Sequence, residues 1–385
     1  MPGILKERLF TPGPTPLLME AQARTLTATL HHRTESFRQL MKETSEHLKY
    51  FYNTKNDVLI FSCSGTGAME GAMANLVSPG ERILVGTAGK FGERWLDLAK
   101  AYGIEPVKIE SPYGHPLPME EFERQLQSSG PFRAAFVQAT ESSTGVSHDV
   151  QTLGRLVSKY PETALVVDAI TGLGTTALEP DGWGLDVVIG GSQKALMVPP
   201  GLAFASVSEK AWKLIECSKS PRYYFDFAKE RKNQAKGETS YTPATTLVVS
   251  LHAALEYIRR VGRENLIENA ATLACATREA ALALGLKLFA QDSPANALTA
   301  LCAPDGWDSG AIVKEMRQRF GAIVANGQGT MKGKIFRLAH LGYYDMPDLF
   351  AVLAALEITL HKLGHKCELG AGVRAAQQVY LKRCA

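Results

Sequence analysis

Residues 187–201 read VVIGGSQKALMVPPG, and the reading of this stretch decides the fold. A β-branched run, Val187-Val188-Ile189, ends at Gly190-Gly191, whose bare backbone lets another group come close, and Pro199-Pro200-Gly201 bars continuation as a helix. Lys194 therefore follows a strand on a short, restricted tether. Shielded from water, its ammonium pKa falls and the free amine becomes a nucleophile toward a carbonyl or an aldehyde. A lone lysine at a strand end is more often a solvated charge, so the rest of the chain has to supply something for it to attack.

Upstream, short apolar runs alternate with amphipathic stretches: DVLIFS (57–62) before GTGAMEGAMANLV (65–77), RILVGT (82–87) before FGERWLDLAKAYG (91–103), RAAFVQA (133–139) before DVQTLGRLVSKY (149–160), then ALVVDAI (164–170) and DVVIGGS (186–192). Strands alternating with helices predict an α/β fold whose mainly parallel central sheet is covered on both faces. Downstream the pattern changes to one long helix over 250–284, then NALTALCAP (296–304), GAIVKEMRQRFGAIVA (310–325), IFRLAH (335–340) and a closing helix over 346–364. The expected organisation is an N-terminal arm (1–20), a large domain (21–261) and a smaller α+β C-terminal domain (262–385), with the long helix bridging the two domains.

Of the 385 residues, 45% are hydrophobic and 21% charged, as in an ordinary soluble protein, and the net charge of +3 gives no field suited to nucleic acid. Six cysteines (63, 217, 275, 302, 367 and 384) form no C-x-x-C pair, which argues against a zinc site or any other metal centre and against a disulfide framework. Neither a signal region nor a membrane-spanning run is visible, so a cytoplasmic protein with no membrane partner is expected.

In a doubly covered parallel sheet, ligands bind beyond the carboxyl ends of the strands, and those are the residues to inspect. Ser64, Gly65, Thr66 and Gly67 lie between a strand and a helix expected to begin near Ala68, where backbone N–H groups and hydroxyls make an anion site. Asp168 ends ALVVD, where a partly buried carboxylate needs a cation or a strong donor; a protonated ring nitrogen is one. Phe91 follows another strand. A phosphate cradle, an amine nucleophile, a carboxylate for a ring nitrogen and an aromatic cover are together what pyridoxal 5′-phosphate requires.

With these residues in view, TPGPTP (11–16), SCSGTGAMEG (62–71), ESSTGV (141–146), VVDAITGLG (166–174) and GGSQKALMVPPG (190–201) resemble the class V pyridoxal-phosphate aminotransferases of fold type I, in particular the alanine/serine-glyoxylate branch. The resemblance implies a homodimer with shared active sites and a ping-pong transfer, through a Lys194 aldimine, between an alanine- or serine-type amino acid and a 2-oxo acid such as glyoxylate. It makes Lys194 the Schiff-base lysine, Asp168 the ring-nitrogen partner, Ser64, Gly65 and Thr66 the phosphate loop, Ser142 a donor to the ring O3′, Ile170 a packing residue beneath the ring and Gln193 a phosphate ligand. Phe91 falls where that branch often has tryptophan, and Thr66 where some members have histidine. In GETSYTPATTL (237–247), Tyr241 with Thr242 or Thr245 is expected at the partner subunit's phosphate, the family motif aligning ambiguously there.

GKIFRLAHLG (333–342) is similar to the family segment whose arginine binds the substrate α-carboxylate, which implies that role for Arg337. HHRTESF (31–37) reads either as a polar turn before a helix at Glu35 or, with His31, His32 and Arg33, as an element resembling the one that holds a distal anion in phosphoserine- and aspartate-preferring relatives. Phosphoserine or aspartate as donor, with 2-oxoglutarate as acceptor, is therefore the alternative. A cysteine desulfurase would need a cysteine before Arg337, and ANGQGTMKGKI (325–335) has none. A non-catalytic subunit that kept the fold would have no reason to retain both Lys194 and Asp168.

Overall fold

The computed structural model describes residues 4–27 and 30–383. The outer ends of the expected arm and small domain, residues 1–3 and 384–385 with Cys384, lie outside it. Seven strands form the central sheet, in the spatial order 57–61, 203–207, 187–191, 164–168, 134–138, 82–87, 105–110. Strands 187–191, 164–168, 134–138, 82–87 and 105–110 run parallel to one another, while 203–207 is antiparallel to both of its neighbours, 57–61 and 187–191. The mainly parallel sheet of a fold type I protein is thus present, with one reversed strand.

The reason is legible in the strands themselves. Ala134–Gln138, Ala164–Asp168 and Val187–Gly191 are buried at every position, so both faces of the sheet need a cover. On one face Leu84, Val137, Leu165, Val167 and Val188 pack with Phe51 and Leu251 of the helices Glu35–Tyr52 and Thr245–Val261. On the other, Val85, Phe136, Val166 and Ile189 pack with Met69 and Met73 of Gly65–Leu76 and with Trp95 of Lys90–Ala101. A third cluster holds Leu273, Ile312, Phe336, Leu338 and Leu353, around an antiparallel sheet of 298–302, 335–339 and 325–326. Phe10 is buried in that third cluster, and the short strand Arg8–Leu9 pairs with Ala322–Ile323.

Four local expectations need correction. The helix expected near Ala68 begins at Gly65, so Gly65, Thr66 and Gly67 form its first turn. The long helix over 250–284 is two helices, Thr245–Val261 and Arg263–Ala283, broken at Gly262, whose φ of +91° glycine tolerates and L side chains rarely adopt. The helix over 346–364 does not close the fold, because Ala371–Arg383 is also helical and packs back on Arg263–Ala283. Strands 105–110 and 203–207 are additional: the first is a polar edge strand, the second an Ala- and Ser-containing run without a β-branched core.

Candidate active site

Asp168 ends a strand that lies beside the one leading to Lys194, in a register that sets Asp168 opposite Ile189. Both side chains therefore emerge at the carboxyl end of the sheet. Asp168 is buried and its Oδ1 accepts from the Ile170 N–H at 2.9 Å. Burial raises its pKa to about 6; the Ile170 bond and the charge of Lys194 oppose the rise, and the charge of Glu141 adds to it. Burial lowers Lys194 to about 8, with Asp168 holding it up and Arg337 pressing it further down. Each group is poised near neutrality by desolvation, as an acid–base site requires. Lys194 Nζ donates to the Pro12 carbonyl, and Thr15 Oγ1 donates to the Lys194 carbonyl at 3.0 Å, so the TPGPTP stretch is packed over the lysine.

The first turn of Gly65–Leu76 opens at the same end. Its N-cap, Ser64, is exposed and its side chain caps no N–H, which leaves the turn's free donors for an anion. A Cβ at Gly65 would stand 2.4 Å from Ile170 Cδ1, so a side chain there would displace the end of the residue expected beneath a ring. Gln193 Oε1 is buried without a partner.

Arg337 lies on the central strand of the small antiparallel sheet and is buried. Its Nη1 donates to the Ser142 carbonyl at 2.7 Å, and Nε and Nη2 donate to the Asn326 carbonyl at 3.2 and 2.7 Å. A guanidinium has five N–H groups, so one on each terminal nitrogen stays free to donate to a carboxylate. Burial lowers its pKa only to about 10, so it remains a cation at neutral pH.

The profile of the family "Aminotransferase class-V" matches residues 17–340, which span Ser64, Gly65, Asp168, Gln193, Lys194 and Arg337. The chain belongs to the class-V aminotransferases. It is 41% identical, over 97% of its length and 99% of the relative's, to a soluble hydrogenase 42 kDa subunit of Anabaena cylindrica. It is 32% identical to an L-aspartate–glyoxylate aminotransferase of Paracoccus denitrificans, over 98% of this chain and 97% of that one. Among solved structures, a subgroup IV aspartate aminotransferase from Thermus thermophilus is 33% identical with a TM-score of 0.86, covering 92% of this chain and 99% of that one.

Other expected residues of this class-V aminotransferase have contacts of their own. Tyr241 stacks on Tyr224 at 5.0 Å and donates its hydroxyl to the Tyr223 carbonyl at 2.8 Å; Thr242 lines a cavity with Ser62 and Tyr224, and Thr245 opens a helix. The His31 and His32 rings lie 4.6 Å apart and tilted by 31°, and Thr34 N-caps Glu35–Tyr52. Arg33 and Arg38 both bind Glu238, at 3.2 and 2.7 Å, which ties this turn to the Tyr241 loop. Arg38 also pairs with Glu35 at 3.3 Å, so the two guanidinium groups face two carboxylates.

Two residues escape a reading of the sequence. Arg94 donates to Thr66 Oγ1 at 3.0 Å and lies 4.9 Å over the Phe91 ring, so the anion turn and the aromatic share a cation. Its only local signal is the spacing from Phe91, one helical turn. The other is Glu141, which adjoins Ser142 in ESSTGV.

Proposed function

We propose that this aminotransferase binds pyridoxal 5′-phosphate at Lys194 and moves an amino group between an alanine- or serine-type amino acid and a 2-oxo acid such as glyoxylate, by a ping-pong mechanism. The observation that carries the reading is the half-buried Lys194 set with the buried Asp168 at the carboxyl end of the sheet, beside a helix N-terminus left uncapped. The residues fit the cofactor: the unpartnered Gln193 Oε1, the Gly65 turn against Ile170, and an Asp168 carboxylate that is buried with one N–H partner all call for a polar ring and a phosphate.

In this reading Ser64, Gly65, Thr66 and Gln193 hold the phosphate, Phe91 covers the ring, Ile170 supports its other face, and Ser142 donates to O3′. Asp168, as the anion, keeps the ring nitrogen protonated. The bound cofactor supplies an electron sink for negative charge at the substrate Cα. Arg337 fixes the α-carboxylate through its two free N–H groups. Lys194 Nζ, uncharged for part of the population at neutral pH because burial lowers it to about 8, takes the Cα proton. The reading also takes 21–261 as the cofactor domain, 262–385 as the small domain and 1–20 as an arm. The protein is a cytoplasmic homodimer in which Tyr241, Thr242 or Thr245 reaches the partner's phosphate. No described helix is long and apolar enough to cross a membrane.

A second reading, aspartate or phosphoserine as donor with 2-oxoglutarate as acceptor, is favoured, for aspartate as the donor, by the names of two similar proteins. A non-catalytic subunit is suggested only by the name of the hydrogenase-subunit relative. Borohydride reduction of the protein with added pyridoxal phosphate, followed by peptide mapping, separates the enzyme from this last reading. The label should fall on Lys194; a label on another lysine, or none, overturns the proposal.

A further inference from the structure

Glu141 is wholly buried, and its carboxylate accepts from four donors at once. Oε2 takes the Phe91 and Gly92 N–H groups at 3.0 and 2.9 Å; Oε1 takes the Ser143 N–H at 3.0 Å and the Ser143 hydroxyl at 2.6 Å. Ser143 Oγ in turn accepts from the Lys90 N–H at 3.0 Å. The helix Lys90–Ala101 starts after Gly89, which has no side chain to cap it, so its first three N–H groups find acceptors on the 141–143 turn instead.

The same turn offers the Ser142 carbonyl to Arg337. One carboxylate therefore joins the aromatic ring at 91, the hydroxyl at 142 and the guanidinium at 337 into a single piece, although they come from the large domain and the small sheet. Gly89 makes the room: a Cβ there would stand 2.5 Å from Glu141 Cδ and Cγ. Its own φ of 167° is ordinary extended backbone, so glycine is needed at 89 for space and not for conformation.

We propose that Glu141 is a positioning residue, whose four-donor clamp sets the Phe91 ring, Ser142 and Arg337 relative to one another and so orients cofactor and substrate together. The proposal rests on the pyridoxal-phosphate reading above. A glutamine at 141 has the same shape, but its amide turns two donors toward groups that are themselves donors. The Ser143 hydroxyl can rotate to accept from it, yet at least one buried peptide N–H is left unpaired. Alanine at 89 displaces the carboxylate without altering its charge.

The test uses Glu141→Gln and Gly89→Ala beside the wild type. In cofactor-free protein, amide exchange at Phe91 and Gly92 should be at least about tenfold faster in both variants. With pyridoxal phosphate added, the visible circular dichroism should weaken. The turnover number should fall about tenfold to a hundredfold, the usual cost of displacing aligned groups by about an ångström. KM should stay within about threefold, because the two bonds from Arg337 to the Asn326 carbonyl survive. Unchanged exchange in both variants would mean that the clamp does not hold the helix. Faster exchange with unaltered dichroism and turnover would make Glu141 merely structural; either result overturns the proposal. If Glu141→Gln does not fold, Gly89→Ala carries the test alone. Failure of the Lys194 labelling removes the cofactor reading itself, whereas a labelled Lys194 with two indifferent variants removes only this role of Glu141.

Discussion

Replacing Asp168 by asparagine should change how stability depends on pH, in a direction set by the burial of the carboxylate. In the cofactor-free protein the Asp168 pKa rises from the ordinary 3.8 to about 6. At about 1.4 kcal/mol per pKa step, that rise is worth about 3 kcal/mol. Because the folded value is the higher one, the contribution is fully present below pH 3.8, where the group is protonated in both states, and is lost as the pH rises through about 6. Asparagine takes up no proton and has no such loss. It also keeps an oxygen for the Ile170 N–H, now bonded at 2.9 Å, so the turn should survive.

Stability of the wild type relative to Asp168→Asn should therefore fall by about 3 kcal/mol between about pH 4 and pH 7. Lys194 acts in a different window. Its folded pKa is lowered from 10.5 to about 8, so its contribution is present above 10.5 and lost as the pH falls through 8. Removing the Asp168 charge lowers Lys194 further, which moves that window down in the variant. Denaturant midpoints of both cofactor-free proteins at pH 4, 5, 6 and 7 would measure the difference. Parallel profiles would refute the argument that Asp168 is destabilised by desolvation. With pyridoxal phosphate bound the effect reverses in meaning, since the anion then has a cation to meet. Turnover of Asp168→Asn should fall at least about a hundredfold, and near-normal turnover would remove its role at the ring nitrogen.

Arg337→Ala should raise KM for every donor and acceptor by about tenfold to a hundredfold, because each substrate presents the same α-carboxylate and a charge-assisted contact is worth about 1.5 to 3 kcal/mol; a loss confined to one donor would contradict this. Arg33→Ala should lower kcat/KM for aspartate or phosphoserine by a similar factor and leave alanine and serine nearly unchanged, if the second reading of the donor holds. Equal losses on all four donors would make the Arg33–Glu238 pair structural and return the preference to small neutral amino acids. Sedimentation should show a dimer at working concentration, and a fully active monomer would rule out a shared phosphate site.

Much of the fold is legible because a strand covered on both faces must be apolar throughout. Runs such as ALVVD and VVIGG carry that requirement in their own composition, and the sheet they predict is the one found. Strand 105–110 is not legible for the complementary reason: at the sheet edge it keeps water on part of its surface, and EPVKIE has the polarity that follows. Glycine misleads at both helix boundaries. Its low intrinsic helix propensity hides the start at Gly65, where close approach to Ile170 decides, and the helical periodicity on either side of Gly262 hides the break there.

By itself the sequence determined the type of most elements and the short list of groups that carry chemistry, since both follow from local properties: the periodicity of burial, and the position of Lys194, Asp168 and Ser64–Thr66 just after apolar runs. Only the tertiary structure decided which of these groups meet. Strand 203–207 enters antiparallel between 57–61 and 187–191, a direction that nothing within those residues dictates. Arg337 reaches Ser142 across 195 positions of chain, and Glu141 reaches the helix at Phe91 and Gly92 across 50 and 49. Hydrogen bonds of a few ångströms between such distant residues depend on the order in which strands pack and on how closely backbones approach, and these are properties of the assembled core, which a local stretch of sequence does not contain.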